Sequence, residues 1–368
     1  MLTSQTSSYT HLAHQPALDH LRALAALLVF SFHAIHLLHL HWQARPDLAW
    51  LGVITEGHTG VALFFVLSGF LFMQIALQGG SIQYGQFIKN RLLRIAPLFV
   101  VVFFIAISIR RNEFQAADWA YLLFSNLGQA PTSGHFITGP AWTIGIEFLF
   151  YLIFPFLALF TQQQGGRYLV KLLLLLAFFK LAAWPAIETP HHVYYSTLLG
   201  RLDQFVIGML AAVIWQRSAQ HPIWRYSLPV ALLVIWSNSY HQALSASYFT
   251  AHQQGLFWVF WSFREALGWA LLILCWSACA QHLPRWIERP LLHLGQISYS
   301  FYLLHAFVLY FIHHSLQVQG WLGQGIISHW MLLSLLAFGL TWWLANLSYQ
   351  TLEKPFLDLR GRYRSAAS

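Results

Sequence analysis

The sequence predicts an all-α fold, a polytopic membrane helix bundle of about ten transmembrane helices with both termini in the cytoplasm. Three observations carry this prediction. Of 368 residues, 57% are hydrophobic, 17% are aromatic and only 9% are charged, well outside the usual composition of a soluble domain. The apolar runs are long enough to cross ~30 Å of hydrocarbon at ~1.5 Å per helical residue, and they lack the alternation of a membrane β-barrel. The 20 lysines and arginines, set against 12 acidic residues, fall at the ends of those runs rather than on one stripe. That distribution suits membrane topology and argues against nucleic-acid binding.

The first span is expected near 18–40 and opens with LDHLRALAALLVFSFH. Its apolar stretch exceeds the ~7 to 15 residues of a signal-peptide core, and no small-residue cleavage site follows, so it is expected to remain as a span. Nine more are expected near 58–77, 95–110, 141–160, 168–185, 201–216, 226–240, 256–280, 292–314 and 327–347. The seventh is short, and Arg264 and Glu265 interrupt the eighth. With the N-terminus inside, the connections on that side collect most of the basic residues, including Lys89, Arg91, Arg94, Arg167, Arg217, Arg289 and Lys354. The other side holds chiefly Arg45, Arg110 and Arg111, a bias that places both ends in the cytoplasm. The expected organisation is a cytoplasmic tail over 1–17, a membrane domain over 18–347 and a basic cytoplasmic tail over 348–368. Cys275 and Cys279, the two cysteines, stand four apart in an apolar run and offer neither a disulfide framework nor a metal quartet, so no metal is expected.

Candidate chemistry lies in the few ionisable residues that the spans retain, because such residues are costly in lipid and mark pathways or sites. Arg22 and His33 are eleven positions apart, which is three helical turns plus roughly 20°, so they share one face about 16 Å apart. Arg22 then lies near the cytoplasmic surface, where snorkelling to headgroups is its structural alternative, and His33 lies past the midplane. Glu147, Asp203 and His305 fall in the same outer layer by the same rise per residue. A carboxylate accepting from the His33 ring N–H would fix its tautomer, and Glu147 is the candidate for that role. Arg201 and Asp203 read as an interfacial ion pair or a substrate contact, and Ser298 and His305 as helix–helix hydrogen bonding or substrate contacts. By its chemistry His33 can serve as a general base or as a nucleophile. Arg22, Arg91 and Arg94 gather on the expected cytoplasmic face, where cations can anchor the topology or dock phosphates.

Seven segments follow one another in the order of a known family. LDHLRALAALLVFSFH (18–33), GVALFFVLSGFLF (60–72, containing Ser68), RLLRIAPLF (91–99), AWTIGIEFLFYLIFP (141–155), RLDQFVIGM (201–209), LGQISYSFYLLH (294–305) and SYQTLEKPF (348–356) resemble the acyltransferase-3 family of integral membrane O-acyltransferases. His20 stands where that family usually has Gly, and Ala62 where an acidic residue often follows Gly-Val, so no acid role is assigned to position 62. The resemblance implies transfer of an acyl group, acetyl by default, from cytoplasmic acyl-CoA to a hydroxyl on a sugar, glycolipid or envelope polymer at a bacterial inner membrane. His33, Glu147 and Arg22 would be catalytic, and Arg22, Arg91 and Arg94 would bind the donor. Ser68, Arg201, Asp203, Ser298 and His305 are candidate substrate contacts. No esterase-like segment follows the last span, as one does in some relatives, so the acceptor is expected not to require one. The alternative is a secondary transporter or flippase using Arg22, His33 and Glu147 as a proton or substrate relay; the absence of visible repeats and of paired broken spans weighs against it.

Overall fold

A computed structural model describes residues 15–40, 42–43, 45–78, 82–109, 111–112, 116, 119, 140, 142–187, 190–245, 256–279, 283–318 and 329–361. The described residues contain helices and turns and no strand. Pro16 and the acidic Asp19 open α1 (Pro16–Ile35), which runs on into a π-helical turn over His36–Leu40. Proline at the first turn gives up no intrahelical bond, and Asp19 complements the positive end of the helix dipole. Next come α2 (Gly60–Leu77), α3 (Tyr84–Ile109), α4 (Trp142–Gln164), α5 (Gly166–Ala183) and α6 (Leu198–Ser218). The series continues with α7 (Leu228–Leu244), α8 (Phe257–Cys279), α9 (Arg285–Gln296), α10 (Ser298–Val318) and α11 (His329–Ser348).

Among the described residues nine helical stretches are long and apolar enough to cross a membrane. The short seventh span is α7, which at 17 residues adds a tenth helix to the bundle. The chain is an integral, multi-pass membrane protein. Three expected boundaries move. The third helix begins at Tyr84 rather than near 95, so Arg91 and Arg94 lie two to three turns inside it. The segment expected as one span from 292 divides at Ile297 into α9, whose Arg285 and Arg289 are exposed, and the buried-faced α10. The charge pair in the eighth span does not break it. Glu265 is buried against Arg201, and Arg264 donates to Asn238 Oδ1 at 3.2 Å.

Two close backbone contacts set the centre of the bundle. A Cβ at Gly69 of α2 would stand 2.0 Å from the Phe205 carbonyl oxygen of α6, and one at Gly208 of α6 would stand 2.1 Å from the Val66 oxygen of α2. Only glycine permits this approach, and in lipid such backbone proximity is what holds helices together. The C-terminal ends of α2, α4 and α6 gather at one face. Gln162 donates to the Ala76 carbonyl at 2.7 Å and Gln216 to the Leu77 carbonyl at 3.3 Å, satisfying acceptors that the end of α2 leaves open. At the periphery α5 and α11 expose Leu174, Phe178, Leu335 and Trp343, the surface expected of helices facing acyl chains.

Beyond α11 the chain turns under the bundle through a π-helical segment, Tyr349–Glu353, and a short helix, Lys354–Leu357. Asn90 of α3 holds this segment by its backbone, donating to the Gly361 carbonyl at 2.7 Å and accepting the Gly361 N–H at 3.0 Å.

Candidate active site

A cavity of about 380 Å³ opens between α1, α2, α3, α4 and α10 and is also lined by the segment after α11. Its wall on α2 runs from Val61 to Ile75, fourteen residues and so about 21 Å of depth. Arg22, Arg91, Arg94 and Arg360 line it, against the carboxylates of Asp19 and Glu147, so the lining carries an excess of positive charge. Arg22 pairs with Asp19 one turn earlier on α1. Arg91 lies over aromatic faces, 4.9 Å from the Phe72 ring centre, 5.8 Å from Phe87 and 6.0 Å from Tyr151. Arg94 meets the fully buried Glu353 at 3.2 Å, and Ser300 also donates to that carboxylate.

Ser68 and Ser298, expected as substrate contacts, both line the cavity. Ser68 Oγ donates to Glu147 Oε1 at 3.2 Å, and the Tyr151 hydroxyl donates to the same oxygen. Glu147 therefore belongs to the cavity wall and does not reach His33. Equal depth along two helices leaves their side chains free to face different neighbours, and here the azimuth separates them.

His33 finds its partner on α10 instead. His305 Nδ1 lies 2.5 Å from the Tyr302 carbonyl, which can only accept, so this nitrogen carries the proton. His305 Nε2 then presents a lone pair, 3.0 Å from His33 Nδ1. His33 Nδ1–H is shared between that lone pair and the Val29 carbonyl at 2.9 Å. The chain of donors leaves the Nε2 lone pair of His33 as the nucleophilic or basic end. Trp42, 37% exposed and with a left-handed backbone at φ 60°, packs its ring 6.2 Å from the His33 ring and stacks on His36.

Arg201 and Asp203 lie elsewhere, and they do not pair with each other. Asp203 accepts from Lys180 at 2.7 Å and from Ser262 at 2.6 Å. Arg201 is enclosed by Tyr195, Trp261 and Trp142 at 4.4, 4.6 and 5.7 Å and faces Glu265 at 3.5 Å. Both are fully buried and tie α5, α6 and α8 together. An interfacial pair would have been solvated; inside the bundle each charge instead takes the opposite charge on a neighbouring helix.

The sequence reading missed Tyr151, Tyr299, Tyr302, Glu353 and Arg360. Tyr151 had a usable signal, since it stands four residues after Glu147 and so on the same helix face. Glu353 and Arg360 were assigned to the basic cytoplasmic tail; Glu353 had a signal in the segment SYQTLEKPF, and Arg360 had none.

The fold and this site define a helical membrane protein with an arginine-lined internal cavity that leads toward a histidine pair. A family profile described as an acyltransferase domain matches residues 15–346, and the chain belongs to that family, acyltransferase-3. It is 25% identical over 375 aligned positions to the O-acetyltransferase OatA of Staphylococcus aureus, covering 92% of this chain and 57% of that protein. It is 26% identical over 332 positions to the peptidoglycan O-acetyltransferase OatA of Listeria monocytogenes, covering 82% of this chain and 50% of that protein. The chain thus spans about half the length of these relatives. No solved structure matches it significantly.

Proposed function

We propose that this chain moves an acyl group, acetyl by analogy with the relatives named above, from a coenzyme A thioester to a hydroxyl of an envelope glycan such as peptidoglycan. The observation that carries this reading is the long arginine-lined cavity ending one helical turn from the His33–His305 pair. Four arginines against two carboxylates suit the phosphates of the donor, and guanidinium forks bind phosphate oxygens in pairs. A narrow, largely apolar shaft about 21 Å deep suits a pantetheine arm. The acceptor approaches from the Trp42 side, where an exposed aromatic ring next to His33 can stack on a sugar. Arg22 stands at the mouth, on the face read as cytoplasmic in a bacterial inner membrane, and His33 at the far end, so donor and acceptor meet from opposite sides.

In the direct mechanism His33 Nε2 takes the hydroxyl proton as the acceptor oxygen attacks the thioester carbonyl. The C–S bond breaks, the C–O bond forms, and the proton passes to the departing thiolate. In the covalent variant Nε2 itself attacks and carries the acyl group to the acceptor. The test is purified chain in liposomes with isotopically labelled acetyl-CoA and a soluble glycan acceptor. His33→Ala is expected to abolish both acceptor labelling and thiol release while the thermal midpoint stays within a few degrees of wild type. Transfer persisting in that variant would sink the role of His33, and absence of thiol release from wild type would sink the donor. Acylated protein that accumulates without acceptor and disappears in His33→Ala selects the covalent route. Activity is expected to fall on the acid side, because a protonated imidazole offers no lone pair.

A further inference from the structure

We infer that Tyr302 is a positioning residue with two tasks, closing the donor cavity against the histidine pair and holding that pair in its working tautomer. The inference rests on the donor reading above and concerns residues to which neither the motifs nor the relatives attach a role.

The cavity stops short of the residues that would do the chemistry. Its lining includes Thr143 and Tyr302 but neither His33 nor His305, and Tyr302 precedes His305 by one helical turn on α10. The Tyr302 ring stands 5.9 Å from the His305 ring and 5.9 Å from Phe64, edge-on to the latter. Its hydroxyl is tethered across to the start of α4, 3.0 Å from Thr143 Oγ1 and 2.8 Å from the Pro140 carbonyl, with Thr143 Oγ1 also 3.1 Å from that carbonyl. Two hydroxyl protons serve these three contacts, so the latch is a closed triangle of small total strength. The same residue's backbone carbonyl accepts from His305 Nδ1.

These two contacts come from different parts of the residue. Rotating the side chain about its own bonds releases the latch, whereas the carbonyl stays fixed in the α10 backbone. The cavity can therefore open toward His33 without disturbing the donor chain that keeps the His33 proton on Nδ1. A closed latch also solves a chemical problem. A thioester held beside an activated imidazole with no acceptor present would be attacked by water: the C–S bond breaks, a C–O bond to water oxygen forms, and the water proton travels through His33 to the thiolate. The products are the free acid and the thiol. Keeping the reactive groups apart until the acceptor arrives suppresses that loss.

The test compares acetyl-CoA hydrolysis without acceptor to transfer with a soluble glycan acceptor, both followed by thiol release from purified full chain. Tyr302→Phe keeps the ring and cuts the tether, and Thr143→Val removes the other hydroxyl. Each is expected to raise the ratio of hydrolysis to transfer about fivefold, the effect of one lost hydrogen bond, and Tyr302→Ala, which removes the ring, to raise it further. A merely structural role would lower both rates together and leave the ratio where it was. An unchanged ratio in Tyr302→Phe and Thr143→Val, with thiol still released by all three proteins, overturns the latch alone. No thiol release from wild type under either condition overturns the donor reading, and the latch with it.

Discussion

Arg91 and Arg94 stand three residues apart on one helix, yet their surroundings assign them different tasks. The Arg91 guanidinium rests on the faces of Phe72 and Phe87, which orient it within the cavity wall. Arg91→Ala is expected to raise the Michaelis constant for acetyl-CoA about tenfold with a smaller change in turnover, because a phosphate dock stabilises ground and transition states alike. Lysine there should recover only part of the loss, since it lacks the fork and the flat face. Arg94 faces Glu353, which is fully buried. Arg94→Ala leaves that carboxylate without its cation and is expected to cost about 3 kcal/mol of stability, visible as a lower thermal midpoint. Arg94→Ala combined with Glu353→Gln should recover much of the midpoint, and failure to do so would show that the pair contributes little.

At the scale of helices, the α2–α6 crossing is the contact least able to absorb change. Gly69→Ala places a methyl 2.0 Å from a carbonyl oxygen of α6, and neither backbone can give way without moving the other. Gly69→Ala and Gly208→Ala are each expected to lower the thermal midpoint in detergent by several degrees, on the scale of ~1 to 3 kcal/mol for overpacking. Gly339, whose Cβ would meet nothing within 4 Å, is the control that should tolerate alanine. The same scale shows what the sequence made legible. Hydropathy and length located the spans, since lipid imposes one simple rule on every exposed face. The start of α3 was missed because YGQFIKNRLLR is polar enough to read as a loop, whereas Asn90 is held by Gly361 and Arg94 by Glu353, both far away in the chain. Motifs and helix geometry singled out Arg22, Ser68, Arg91, Arg94, Glu147 and Ser298 as candidates for separate roles, and that they line one cavity emerged only with the structure. Which carboxylate or imidazole meets His33 depends on helix rotation, and spacing within a single helix carries no information about that.

For the whole molecule, helix direction is the property that links structure to orientation. The glutamine contacts that draw the ends of α2, α4 and α6 together put Gln163 and Gln220 on one face. Single cysteines at these two exposed positions are expected to react with an impermeant maleimide only from the cytoplasmic side of membrane vesicles. Labelling of either from the opposite side would reverse the orientation derived from the basic residues. Gln319, expected on the opposite side, lies outside the described residues. The segment after α11 bears on how the molecule is made. Leu357 and Arg360 line the cavity, and Asn90 secures this segment through Gly361. They follow all eleven of the helices α1 to α11 in order of synthesis. During insertion the ribosome therefore delivers the arginines of α1 and α3 and the histidines of α1 and α10 before the wall of the cavity is complete. Assembly in this order makes the helical turns after α11 the step that completes the wall of the cavity.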